Sequence, residues 1–228
     1  MAAVLMPACD ATVAMPSGDT IRRLAHWAVA FDTKLCHLVD DLDTEWQAPL
    51  LSPWSFMQAM PADRSDALWP RLWRSRLGQE GVWPRLDQFE DPWWRLGLLP
   101  RPELLHRLCV LALARRPGVL RCCIDRSVRV PLQRALADAF PVLSALSLQG
   151  RPVDAVQAGW SPVEWACVGF LDWADMLGPD ARLVQTLVRW SLPRQMLDRR
   201  SQAGPVPAER SCDAARQALV EAGMEWPC

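Results

Sequence analysis

The chain has 228 residues and a formal charge of −1, with half of its residues apolar and 22% charged. That much apolar material builds a substantial core and excludes a wholly disordered chain. The balanced charge speaks against a surface devoted to nucleic acid or anionic lipid.

The basic residues are almost all arginine, Lys34 being the only lysine, and thirteen tryptophans and twenty prolines stand beside no tyrosine. Such a bias matches a GC-rich coding sequence. Arginine abundance by itself then implies no phosphate recognition, although its planar fork suits carboxylates and interfaces. The eight cysteines, Cys9, Cys36, Cys109, Cys122, Cys123, Cys167, Cys212 and Cys228, are scattered through apolar patterns. This is not the spacing of a small secreted disulfide scaffold, so a reducing cytoplasm is expected, with most cysteines acting as small apolar residues. Residues 1–18 lack a basic start and a continuous apolar run, which makes a poor signal peptide, and a flexible arm is expected there. No stretch approaches ~18 continuous apolar residues, so no membrane insertion is expected.

From residue 19 the pattern turns helical. Ile21, Leu24, Ala28, Phe31, Leu35, Leu38 and Leu42 recur by threes and fours and fall on one helical stripe, with Ser17 or Asp19 available as cap. The stripe packs either inside the domain, which is favoured, or against another chain. Residues 46–100 hold seven tryptophans among many prolines, so short helices joined by turns are expected. Ser52-Pro53 and Asp91-Pro92 read as helix starts. Trp69 and Trp73, four apart, share a face.

Residues 101–114 form an apolar helix through Leu104, Leu105, Leu108, Leu111 and Ala112, ended by Pro117-Gly118. A short helix over 118–126 and another over 127–140 follow, the latter holding Pro131 in its first turn or kinked by it. Residues 147–152 are a turn. Ser161 and Glu164 form a capping box for the next helix, which Gly178-Pro179 stops. Residues 180–192 are helical, with Leu183, Val184, Leu187 and Val188 inward. Residues 199–208 read as a linker and 208–223 as a last short helix. No strand alternation or hairpin signal is present. The expected fold is all-α: one irregular multi-helix domain over 19–195, a flexible N-terminal arm over 1–18, and a C-terminal tail over 196–228.

Motifs for chemistry are sparse. His106 and Cys109 lie three apart, with Cys122 and Cys123 beyond. A zinc site takes about four ligands, and the usual CxxC and HxxxH pairs are missing. A metalloprotein using His106 and nearby cysteines is therefore a minor alternative, and no cofactor is expected. His26 and His37, eleven apart, would sit ~16 Å apart along one helix. The acidic run at 40–46 lacks the glycine and closing glutamate of a calcium loop and reads as a helix end. Glu164, Asp172 and Asp175 fall on one helical face, best read as solvated. No phosphate loop, dinucleotide fingerprint or nucleophile motif is present, so no enzyme activity is expected. Arginine and tryptophan are enriched at binding hot spots. Exposed members of the set Trp69, Trp73, Trp93, Trp94, Arg115 and Arg116 are accordingly candidates for a partner interface.

A proline-led, leucine-rich helix with Leu104, Leu105, Arg107 and Leu108 is followed by a short helix with Leu120, Arg121 and Ile124. In these residues the stretch 97–136 resembles the SctK (YscK-like) family of bacterial type III secretion. Residues 182–193, with Arg182, Leu183, Leu187, Leu192 and Pro193, look like the family's closing helix. The Trp-rich middle and the segment after Pro193 match nothing in the family, and Cys109 stands where the family has a glycine. The resemblance implies a helical, non-enzymatic adaptor of the sorting platform, cytoplasmic and at the inner-membrane base of the secretion apparatus. It would bridge the cytoplasmic domain of the ring protein SctD to the pod protein SctQ. A different helical adaptor or chaperone-like protein is the alternative.

Overall fold

The computed structural model describes residues 17–148, 150–203 and 205–226, apart from the side chains of residues 58, 62, 63 and 66. The described residues contain fourteen α-helices and no strand, so the fold is all-α, as the 3.6-residue periodicity predicts. Residues 1–16 of the expected arm, with Cys9, lie outside the described residues, as does Cys228.

Helix α1 (Gly18–Cys36) starts where the Ser17 hydroxyl accepts a hydrogen bond from the Thr20 N–H at 3.3 Å. Its stripe is buried only toward the C-terminus, at Phe31 and Leu35, while Ile21 and Ala28 face solvent. Phe89 packs on Trp27 and Phe31, and Trp83 on Phe31, so the covering rings reach only the second half of the helix. The helix breaks at His37, and Leu38 and Leu42 reach the core from α2 (Leu38–Asp41) and the residue after it. One continuous stripe through Leu42 is thus corrected to two segments.

Helix α3 (Thr44–Leu51) carries Pro49 and runs directly into a 3-10 turn, Ser52–Ala59. Ser52-Pro53 does start a helical element, but a 3-10 one that follows α3 directly and has no side-chain cap. Helix α4 (Ala62–Leu77) and a 3-10 turn (Leu86–Glu90) lead to α5 (Pro92–Arg95), which Asp91 caps by accepting the Trp93 N–H at 2.9 Å. A 3-10 turn, Leu96–Leu98, delivers the chain to α6 (Arg101–Arg115).

Helix α6 is buried all round from Leu108 to Ala114, where its sequence is apolar on every face. Helix α7 (Val119–Cys122) and α8 (Arg126–Leu136) follow. The single helix expected over 127–140 is two, because Ala137 adopts φ 44°, a left-handed conformation that ends α8 before α9 (Ala139–Ser147) begins. After α10 (Ala155–Ala158), Ser161 and Glu164 form the expected capping box at the start of α11 (Pro162–Leu177). Gly178, at φ 71°, ends α11 in a backbone region that costs a glycine little.

A 3-10 turn precedes α12 (Arg182–Trp190), whose Leu183, Val184, Leu187 and Val188 all point inward as expected. Helix α13 (Arg194–Gln202) crosses the boundary drawn at 195/196, and α14 (Cys212–Glu221) packs on α6. Cys212, Ala215, Leu219 and Trp226 belong to the same core as the rest of the chain.

The spine is the pairing of α6 with α11. A Cβ built on Gly169 would sit 2.0 Å from the Leu108 carbonyl oxygen, so the two backbones touch and only glycine fits. The Trp/Pro segment contributes rings to the same core. Trp54, Trp69, Trp73 and Trp190 form a continuous aromatic chain, and Trp93 meets Trp226 at 5.2 Å. Aromatic pairs at these separations add about 0.5–1.5 kcal/mol each beyond their area burial.

Candidate interaction surface

The residues proposed from sequence as an interface are mostly interior. Trp73 is fully buried (0% exposed), and Trp93 and Trp94 are buried as well. Trp69 is half-buried and stacked on Trp73 with ring centroids 5.9 Å apart. Their size explains the correction: a ring with few polar atoms gains most where it displaces the most water. The Trp93 N–H is used internally, donating to Asp213 at 3.1 Å, and the Trp93 carbonyl accepts from Trp173 at 2.9 Å, whereas the buried Trp73 N–H has no partner among the described residues.

Arg115 and Arg116 also leave the interface set. Arg116 is 2% exposed and forks onto Asp172 at 2.6 and 3.0 Å, with further bonds to the Ala112 and Val206 carbonyls. Arg115 reaches the same carboxylate at 2.5 Å and binds the Arg210 carbonyl at 2.9 Å. The Arg115 carbonyl in turn accepts from the Glu209 N–H at 2.9 Å. Asp172 therefore lies within an ion cluster and not on a solvated face, and the cluster pins residues 206–210 to the end of α6. Glu164 is likewise engaged, bonding Arg200 at 2.7 Å, with Arg200 over the Trp160 ring at 3.5 Å. Burial alone would raise the Glu164 carboxyl. Hydrogen bonds from the Ser161 N–H, Arg200 and the Ser161 hydroxyl, with the Arg200 charge, hold it below its ordinary value instead.

A second ion cluster surrounds Lys34. Lys34, 4% exposed, donates to Asp41 at 2.5 Å and to the Leu99 carbonyl at 2.6 Å. Asp41 also accepts the Arg101 N–H at 2.7 Å, serving as a cap for α6 from outside its own segment. The Arg101 guanidinium reaches Asp43 at 2.5 Å and the Ser191 carbonyl at 3.0 Å. Burial draws the Lys34 ammonium below its ordinary value, and the charge and hydrogen bond of Asp41 oppose that shift without cancelling it. The acidic run at 40–46 thus ties α1, α6 and α12 together. The signal was present in the sequence: Lys34 sits between Phe31 and Leu35 on the inward side of the stripe, where a charge needs a partner.

The residues with potential chemistry stay apart. His106 Nδ1 engages the Ala135 carbonyl at 2.9 Å. Cys109, Cys123, Cys167 and Cys212 are buried. Desolvation pushes the Cys109 and Cys167 thiols up to about 12 and Cys212 up to about 11, and it raises Cys123 as well. Such thiols stay protonated at neutral pH and are poor nucleophiles or ligands. Among the described residues no group of three or more His, Cys, Asp or Glu side chains is placed to hold a metal ion. No described helix is long and apolar enough to cross a membrane.

Most of the apolar motif residues are core. Leu104, Leu108, Leu120, Leu183, Leu187 and Leu192 are buried, and Leu105 and Pro193 are half-buried. Arg107 pairs with Glu103 at 3.5 Å and bonds the Glu225 carbonyl, and Arg182 is exposed. Ile124 departs from this pattern, being 86% exposed just ahead of α8. Around it the charge is one-sided: Arg121, Arg126, Arg129 and Arg134 face solvent, with Asp125 the only acid between them. Elsewhere an open cleft of about 570 Å³ lies beside the first half of α1, lined by Arg22, Arg23, His26, Trp27, Glu90 and Arg95. There Arg23 pairs with Glu90 and Arg95 stacks on Trp27, so its charges are largely engaged within the chain. Comparison with protein-family models, with curated proteins and with solved structures finds no match to this chain.

Proposed function

We propose that this chain is a non-enzymatic adaptor of a bacterial type III secretion sorting platform. In this reading it works in the cytoplasm at the base of the apparatus and bridges the SctD cytoplasmic domain to SctQ. The observation that carries the reading is the resemblance of residues 97–136 and 182–193 to the SctK family. The fold is compatible with it. Leu104, Leu108 and Leu120 from the first stretch and Leu183, Leu187 and Leu192 from the second share one core. A leucine-rich pattern of this kind is what a rigid helical spacer needs, since it holds two binding faces at a fixed separation.

The test is co-purification of the chain with the SctD cytoplasmic domain and SctQ of the same bacterium. Recovery of a three-way complex supports the bridge. A folded, helical preparation that retains neither protein removes the reading, as does a gene deletion that leaves type III secretion intact.

A further inference from the structure

We infer that the solvent face of α8, with Ile124 ahead of it, is the docking ridge for an acidic, amphipathic segment of a partner protein. The inference rests on the adaptor reading and names the surface and the chemistry of its partner. Helix α8 turns Leu132 and Leu136 into the core. The opposite face carries Arg126, Val130 and Arg134 at i, i+4 and i+8, a single stripe about 12 Å long. Val130 is 39% exposed between the two arginines, and Ile124 is more exposed than any other large apolar side chain described.

The charge on this ridge has no carboxylate partner among the described residues. Arg126 and Arg134 make no hydrogen bond or ion pair among the described residues. Arg121 and Arg129 spend theirs on backbone oxygens, of Gly150 at 2.8 Å and Cys123 at 3.5 Å. The intervening Asp125 is occupied as the cap of α8, accepting from the Ser127 N–H and hydroxyl at 2.8 Å. The contrast with the interior is sharp, because Arg101, Arg115 and Arg116 each have a carboxylate partner. An unpaired arginine–valine–arginine stripe fits a segment with two carboxylates flanking an apolar side chain at the same spacing, with a further apolar group to cover Ile124. Exposed apolar side chains set among the charges favour protein over nucleic acid, whose recognition uses arginines with phosphates or with stacking aromatics.

The test measures binding of the full chain to the SctD cytoplasmic domain and to SctQ separately, by calorimetry. The wild type is compared with Arg126→Glu/Val130→Asp/Arg134→Glu and with Ile124→Asp. All four positions are exposed, so helical content and thermal midpoint should match the wild type. The expected result is a loss of about 100-fold or more for one partner in the triple variant, with the other partner unaffected. Wild-type affinity for that partner should fall by about tenfold or more between roughly 0.05 M and 0.5 M salt. If the wild type binds and both variants bind equally well, the ridge is wrong and the adaptor reading stands. If the wild type binds neither protein, both fall. Salt-independent binding, self-association through the ridge, or equally tight binding of duplex DNA would each overturn the acidic-protein assignment.

Discussion

Substituting Gly169 by alanine tests the spine directly. In an ordinary helix interior this change gains about 1 kcal/mol, because glycine is the poorer helix former. Here the new Cβ would lie 2.0 Å from the Leu108 carbonyl oxygen, 2.7 Å from its carbon and 3.2 Å from its Cα. To move from 2.0 Å to the 3.4 Å of ordinary contact, α6 and α11 must separate by roughly 1.4 Å at the crossing. The obstruction is backbone, so no side chain can swing aside to relieve it. Overpacking of this kind costs about 1–3 kcal/mol, and a backbone clash belongs at or beyond the upper end. Subtracting the helix-propensity gain leaves a net loss of about 2 kcal/mol, a large part of a domain stability of about 5–15 kcal/mol. Urea unfolding followed by tryptophan fluorescence reads the change, since Trp165 and Trp173 flank the site on the same helix. Gly18→Ala, where a Cβ meets nothing within 4 Å, is the control and should be neutral or slightly stabilising. A Gly169→Ala protein as stable as the wild type would refute the close backbone crossing.

Two further outcomes follow from the buried charges and thiols. Asp172→Ala strands the Arg115 and Arg116 guanidiniums, whose side chains are only 18% and 2% exposed. It should cost about 3–5 kcal/mol and open residues 203–211 to limited proteolysis, with Asp172→Asn less severe; unchanged proteolysis would count against the clamp. Cys109 and Cys167 have thiols raised from 9.0 to about 12, and Cys212 to about 11. Their protonated state favours the fold fully below pH 9, and that contribution is lost as pH climbs toward the folded values. Each such thiol should remove about 1.4 kcal/mol of stability per pH unit above roughly 9. Lys34, lowered from 10.5, works in the opposite direction over part of that range but is one group against these three and Cys123, whose thiol is raised as well. Unfolding midpoints should therefore decline above pH 9, and a Cys109→Ala/Cys167→Ala variant should show a flatter decline; identical pH profiles would refute the assignment.

Fold class and most helix positions were legible in the order of residues along the chain. Spacing of Leu183, Val184, Leu187 and Val188 placed α12 with its inward face, and Ser161 with Glu164 marked the start of α11, because caps and periodicity act within a few residues. Local rules failed where distant residues decide. Leu38 and Leu42 continued a stripe on paper, yet the chain breaks at His37. Ala137 ends a helix that composition would have continued. The tertiary structure alone turned Trp73, Trp93, Trp94 and Arg116 from interface candidates into core, since burial depends on what packs across from a residue. It also brought Lys34 to Asp41, Arg101 to Asp43, and Arg115 and Arg116 to Asp172, pairs separated by up to 58 residues for which no local pattern exists. What remained exposed after those pairings, the α8 ridge with Ile124, became visible only by subtraction. A charge's availability depends on which partners the fold has already supplied, and chain order does not carry that information.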